Sequence, residues 1–221
     1  SVKMRNIINK GITEEHVFTA IELAAAAGMK NIKLYYMLGL PGETDSDTEE
    51  MIAMIQRVRE KMDAVGNKGE LIISVNGFIP KPFTPFQWSP LCDVKTLKRR
   101  FKMLENAFKK AKHIQLQTES LKETVLQAVL ARGDRRIGEA LLEAFRRELP
   151  LKQVLKEQGL DIEKLATQAY EVGGPLPWQH LDMGFAEAYL ISELQKAQRE
   201  EFTPMCFDLC RRCGVCGEVQ A

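Results

Sequence analysis

The apolar positions of this chain switch period several times. From Thr13, helical spacing runs through VFTAIELAAAAG, with Thr13 placed to cap the first turn and Gly28 to end the last. NIKLYYML, 31–38, is a short apolar and aromatic run that predicts a strand. The turn YMLGLPGET follows. In DTEEMIAMIQRVREKM, Ile52, Ile55 and Val58 then recur at helical spacing, and Ser46 and Glu49 have the spacing of a capping box. ELIISVNGF, 70–78, is rich in β-branched residues and predicts a second strand. IPKPFTPFQWSP carries four prolines and cannot be regular, yet its Phe83, Phe86 and Trp88 call for burial, so it reads as an ordered loop. KTLKRRFKMLENAFKKAKH is a basic amphipathic helix, and IQLQTES, 114–120, alternates as a third strand would.

This is βαβαβ at regular spacing, which implies parallel strands joined by helical crossovers. Three strands are too few to close a (β/α)8 barrel but match a contiguous piece of one. After Leu121 no strand pattern remains. ETVLQAVLARG, RIGEALLEAFRREL, LKQVLKEQG, IEKLATQAY and FAEAYLISELQKAQREE read as five helices, with the loop GGPLPWQHLDMG before the last. The expected fold is therefore α/β: a partial TIM-like barrel over 1–120, a helical extension over 121–200 and a Cys-rich tail over 201–221.

Composition narrows the chemistry. At 45% hydrophobic and 28% charged, the 221 residues can bury a substantial core. A net charge of +1 excludes a global field for nucleic acid but leaves a local patch at 95–112, most simply a solvated helix face. No apolar segment is long enough to span a bilayer and no signal peptide is visible, so no membrane partner and a cytoplasmic, reducing location are expected. The chain opens on Ser1 rather than Met, in what reads as the middle of a longer sequence.

Of five cysteines, Cys92 stands alone and reads as a small buried residue. Cys206-x3-Cys210-x2-Cys213-x2-Cys216 would make strained disulfide loops, and reads as metal ligands. Tight C-x2-C runs suit an iron–sulfur cluster, whereas zinc ligands more often fall into two separated pairs. Either metal, or free thiols, fits the spacing. His16, His113 and His180 show no ligand spacing, and His180 with Asp182 is a weak polar pair.

The turn Gly39–Glu43 has two readings. Structurally, Gly39 bends the chain, Pro41 pre-sets φ, Gly42 takes positive φ, and Glu43 favours the following helix N-terminus. Functionally, loops beyond the carboxyl ends of parallel strands form the ligand face, Gly39 allows close approach, and a carboxylate can hold an amine or hydroxyls. Lys81 and Thr84, among rigid prolines, either sit on a stiff surface loop or line a pocket wall. On the third strand Gln115 and Gln117 share one face, fit either for a cavity or for solvent.

KNIKLYYMLGLPGETDSDTEEMI followed by ISVNGFIPKPFTPFQWSP resembles the second half of the radical S-adenosylmethionine (SAM) barrel. The resemblance is greatest to the subgroup with an N-terminal cobalamin-binding domain. ARGDRRIGEALLEAF and PWQHLDMGFAEAYLISELQKAQREEFTPMCFDLCRRCGVCG resemble large uncharacterised members of that subgroup, so the likeness covers nearly the whole chain. It implies a [4Fe-4S] cluster on a CxxxCxxC loop upstream of this chain, a cobalamin domain further upstream, and a 5′-deoxyadenosyl radical that takes hydrogen from substrate. It implies that Gly39, Pro41, Gly42 and Glu43, with Ser74, Asn76 and Gln117, lie beside SAM, that Ser1 and Arg5 fall near its carboxylate, and that Lys81 and Thr84 face the substrate. Cys206-x3-Cys210-x2-Cys213 repeats the cluster spacing at the other end of the chain, with Arg212 where the family has an aromatic, and so implies an auxiliary iron–sulfur or zinc site.

Alone, such a piece should be catalytically dead, and its open strand edges should favour self-association. A non-enzymatic alternative is a metal-stabilised module binding RNA or another partner through Lys98, Arg99, Arg100, Lys102, Arg211 and Arg212. A small enzyme complete in itself is a third reading, for which no nucleophile–base set is evident.

Overall fold

The computed structural model describes residues 1–216, which fall into two compact units. The first unit comprises Ser1–Phe78, Asp93–Leu121 and Glu200–Phe202; the second comprises Ile79–Cys92, Lys122–Arg199 and the described residues from Thr203.

The first unit is α/β. Its elements run α1 (Val2–Ile7), α2 (Glu14–Ala26), β1 (Ile32–Leu38), α3 (Asp45–Ala64), β2 (Leu71–Gly77), α4 (Val94–Phe108) and β3 (Ile114–Thr118). Among the described residues the strands form one parallel sheet in the order β1-β2-β3. Ile32 to Leu38 pair with Leu71 to Gly77, and Leu71 to Val75 pair with Ile114 to Thr118. Leu38, Leu71, Ile73 and Val75 are fully buried. Helix α4 packs on β1 and β3, and α3 packs on α4. Leu97 and Leu104 of α4 and Ile55, Val58 and Met62 of α3 are likewise fully buried. Each such side chain contributes roughly 1.5–3 kcal/mol by leaving water.

Local chemistry sets the helix starts. The Thr13 hydroxyl accepts from the His16 N–H at 3.2 Å, and His16 Nδ1 accepts from the Thr13 N–H at 3.2 Å. Asp93 Oδ1 accepts from the Thr96 N–H at 2.8 Å. Helix α3 begins at Asp45, so Ser46 and Glu49 lie inside it and do not cap it. Instead Asp47 accepts from the Thr44 N–H at 2.9 Å and the Thr44 hydroxyl at 2.8 Å. Helix α1, capped by Ser1, has no counterpart in the sequence pattern; six residues are too few to display a period.

The second unit is helical: α5 (Leu121–Arg132, whose first residue belongs to the first unit), α6 (Arg135–Arg146), α7 (Leu151–Glu157), α8 (Ile162–Thr167) and α9 (Glu187–Gln198). The proline-rich loop Ile79–Cys92 is built into it. Phe86 and Trp88 are buried, as their apolar bulk demands. The Tyr170 N–H donates to the Trp88 carbonyl at 2.9 Å and the Leu91 N–H to the Ala166 carbonyl at 3.2 Å. Gln87 Oε1 accepts from the Phe83 N–H at 3.0 Å and from Trp178 Nε1 at 2.8 Å. Arg132, 1% exposed, donates to the carbonyls of Ala166 and Gln168, each at 2.9 Å, and lies 5.0 Å from the Tyr170 ring. Among the described residues no helix is long and apolar enough to cross a membrane.

Candidate ligand face at the carboxyl ends of the strands

Strand alternation leaves one face of the sheet uncovered. Opposite the buried row of Leu71, Ile73 and Val75 stand Ile72, Ser74 and Asn76 of β2. Register places Tyr35 of β1 and Gln117 of β3 on either side of Ser74, and Met37 beside Asn76. Tyr35 is 67% exposed and Met37 38%, and Asn76, Gln115 and Gln117 are exposed. Parallel sheets are ordinarily covered on both faces. Here the second face is open, and it is largely polar rather than a run of Val and Leu. Lys33 Nζ reaches over the Tyr35 ring at 5.1 Å. Ser74, Asn76 and Gln117 therefore share one surface. The parity of β1 puts Lys33, Tyr35 and Met37 on it as well, a signal that the apolar appearance of the strand concealed.

At the carboxyl end of β1 the chain makes a tight turn. The Glu43 N–H donates to the Leu40 carbonyl at 3.0 Å, with Pro41 second and Gly42 third at φ 76°, the arrangement of a type II turn. Gly39 lies at φ 88°, a conformation that costs an L-residue about 1–2 kcal/mol. The Glu43 side chain, 1% exposed, is folded back on its own turn. Its Oε2 accepts from the Gly39 N–H, from the Leu40 N–H at 3.1 Å and from Arg100 Nη1 at 2.8 Å. Arg100 Nη2 also donates to the Glu43 carbonyl at 2.6 Å, and Arg100 Nε to Asp45 at 3.2 Å. Burial pushes the Glu43 carboxyl up from the usual carboxylate range, against the pull of the Gly39 amide and the Arg100 guanidinium. The carboxylate expected to hold a ligand's amine is thus engaged in fixing the turn that Gly39 opens. Arg100, grouped by sequence with a solvated basic face, is 5% exposed, and its neighbour Arg99 pairs with Asp45.

A recess of about 340 Å³ flanks β1, lined among others by Ser1, Arg5, Tyr36, Met51 and Met54. Burial pushes the Tyr36 phenol up to about 12, opposed by Arg5. At the rim, Asp47 accepts from the Ser1 hydroxyl at 2.7 Å and from Lys3 Nζ at 3.1 Å. Burial alone would raise the Asp47 carboxyl; the Ser1, Thr44 and Lys3 donors outweigh it and hold it well below the ordinary value of 3.8. A depressed carboxyl adds stability that is fully present above that ordinary value and is lost progressively as pH falls from there through the depressed value. Asp47→Asn is therefore expected to cost about 1–3 kcal/mol near neutral pH. The gap to the unsubstituted chain should shrink below pH 3.8, as followed by denaturant melts across pH.

The remaining candidates lie in the second unit. Lys81 is exposed, and the Thr84 hydroxyl donates to the Lys81 carbonyl at 2.8 Å, closing the loop on itself. In the tail Cys210 is buried and Cys206 and Cys216 are exposed. Arg212 Nε donates to Cys210 Sγ at 3.2 Å and lowers that thiol to about 7; the neighbouring Cys210 raises Cys206. Among the described residues no three His, Cys, Asp or Glu side chains gather as a metal-holding group.

No family model matches this chain, and no solved structure matches it. Among curated proteins it is 37% identical over 141 residues to an uncharacterized protein of Methanocaldococcus jannaschii. The match covers 64% of this chain and 30% of that protein, so the chain spans less than a third of that relative's length.

Proposed function

We propose that this chain supplies one arc of a radical SAM (β/α) barrel, forming part of the wall that holds SAM, and is inactive without the rest of the barrel. The observation that carries this reading is the open, polar face of a parallel sheet, with Ser74, Asn76 and Gln117 together on it and a positive-φ glycine at the end of the neighbouring strand. Such a face fits an aqueous ligand cavity better than a dry barrel core or a solvated exterior. In this reading Ser74, Asn76 and Gln117 donate and accept hydrogen bonds to the polar edges of SAM. The backbone at Gly39 lies close to the ligand, held there by Glu43 and Arg100. By the same resemblance Ser1 and Arg5, which line the recess beside β1, would lie toward the SAM carboxylate. A cluster with SAM bound at this face would supply radical hydrogen-abstraction chemistry toward the substrate. The cluster's ligands lie on a loop outside this chain.

Four thiols within eleven residues support an auxiliary iron–sulfur or zinc site at Cys206, Cys210, Cys213 and Cys216. They are not gathered as a cage in this structure, and no step is routed through them.

The parent reading frame upstream of Ser1 is expected to encode a CxxxCxxC loop. The polypeptide containing it, loaded with iron and sulfide under reductant, should release 5′-deoxyadenosine from SAM. Asn76→Ala with Gln117→Ala should weaken SAM binding about tenfold or more. The 221-residue chain alone should release none. An upstream frame without that loop, or turnover by the chain alone, refutes the proposal.

A further inference from the structure

The helical unit contains a second cavity, of about 420 Å³, whose lining unites aromatic rings with carboxylates. Phe83, Trp178 and Phe185 line it together with Asp182 and Glu187, and no Lys, Arg or His is among its lining residues. Gln87 ties the Phe83 backbone to the Trp178 ring. Its Oε1 takes both the Phe83 N–H and the Trp178 indole N–H, at 3.0 and 2.8 Å. Phe83 and Phe185 meet edge to face, 6.5 Å apart. Phe83 adopts φ 60°, a left-handed conformation that a residue with a Cβ enters at a cost of about 1–2 kcal/mol. Asp182 Oδ1 accepts from the Gly184 N–H at 2.7 Å, which orients the carboxylate while leaving it capacity for further donors.

We infer that this cavity binds a guanidinium group. The volume falls in the range of small-ligand sites. Two carboxylates without a lining cation attract positive charge. Aromatic walls disfavour a hydrated metal ion and favour an organic cation, whose charge is drawn to the negative ring faces. Among organic cations, guanidinium matches best: it is flat and weakly hydrated, stacks on rings and presents five N–H donors to carboxylate oxygens. The group could come from a free alkylguanidine or from an arginine side chain, and the probes below separate the two.

Isothermal titration of the 221-residue chain with N-acetylarginine methylamide, its neutral isostere N-acetylcitrulline methylamide and n-butylguanidine tests this. The arginine probe should bind saturably and about tenfold or more tighter than the citrulline probe, whose urea lacks the positive charge and replaces one NH2 donor by an acceptor oxygen. Asp182→Asn and Glu187→Gln, both at exposed positions, should each weaken it severalfold while leaving the thermal melt unchanged. Butylguanidine binding as tightly as the arginine probe assigns a free guanidine; weaker binding assigns a peptide arginine. Equal affinity for citrulline and arginine, or no saturable binding of either guanidinium probe at millimolar concentration, overturns the inference.

Discussion

Arg100→Met is expected to lower the stability of the chain by about 3–5 kcal/mol, the cost of leaving one member of a buried ion pair alone. Arg100 and Glu43 have 6% and 1% exposed side chains, and solvent cannot compensate either charge. The guanidinium also holds the Glu43 carbonyl and Asp45, so its loss frees the turn as well as stranding a carboxylate. Glu43→Gln should cost less, because the amide oxygen still accepts a hydrogen bond and Asp45 remains as a carboxylate partner of Arg100. The double substitution should be more stable than the sum of the two losses, since neither charge then remains stranded. Equilibrium denaturation of the three variants measures all of this. A loss under about 1 kcal/mol for Arg100→Met would mean that the pair is open to water.

Ile73→Ala is expected to cost about 2–5 kcal/mol, the range for emptying a packed core position. Tyr35→Ala, on the opposite face of the sheet, should stay within about 0.5 kcal/mol despite removing a larger side chain. Ile73 is 0% exposed and Tyr35 67%. The contrast is a direct assay of the uncovered face. Comparable losses at the two positions would show that Tyr35 packs against something, as it would if copies of the chain associate through that face, and light scattering at the same concentration would reveal it.

Much of the fold was legible because strand parity and helical period are local properties. The three strands and their helical crossovers follow from runs such as ELIISVNGF and NIKLYYML. Non-local pairing was less visible. Arg100 lies 57 residues beyond Glu43; its spacing from Leu97 and Leu104 puts it on the apolar stripe of KTLKRRFKMLENAF, but nothing local names the carboxylate it meets. Ser46 and Glu49 satisfy the spacing of a capping box, but Asp47 does that work with Thr44 because the type II turn delivers Thr44 to the helix start. At the candidate site, Ser74, Asn76 and Gln117 were singled out by the resemblance, and strand parity with register puts them on one face. The aromatic character of β1 hid Tyr35, whose exposure is decided by which face the helices cover, not by its own polarity.

The two compact units are interleaved along the chain, and this limits how the protein can be dissected. A cut after residue 120 would keep Ile79–Cys92 while discarding Tyr170, Ala166 and Trp178, which hydrogen-bond to Trp88, Leu91 and Gln87. The shortened product would carry a tryptophan-bearing flap with nowhere to lodge. Deleting the flap along with the helices, and rejoining Phe78 to Asp93 through a short glycine linker, is the rational way to isolate the sheet.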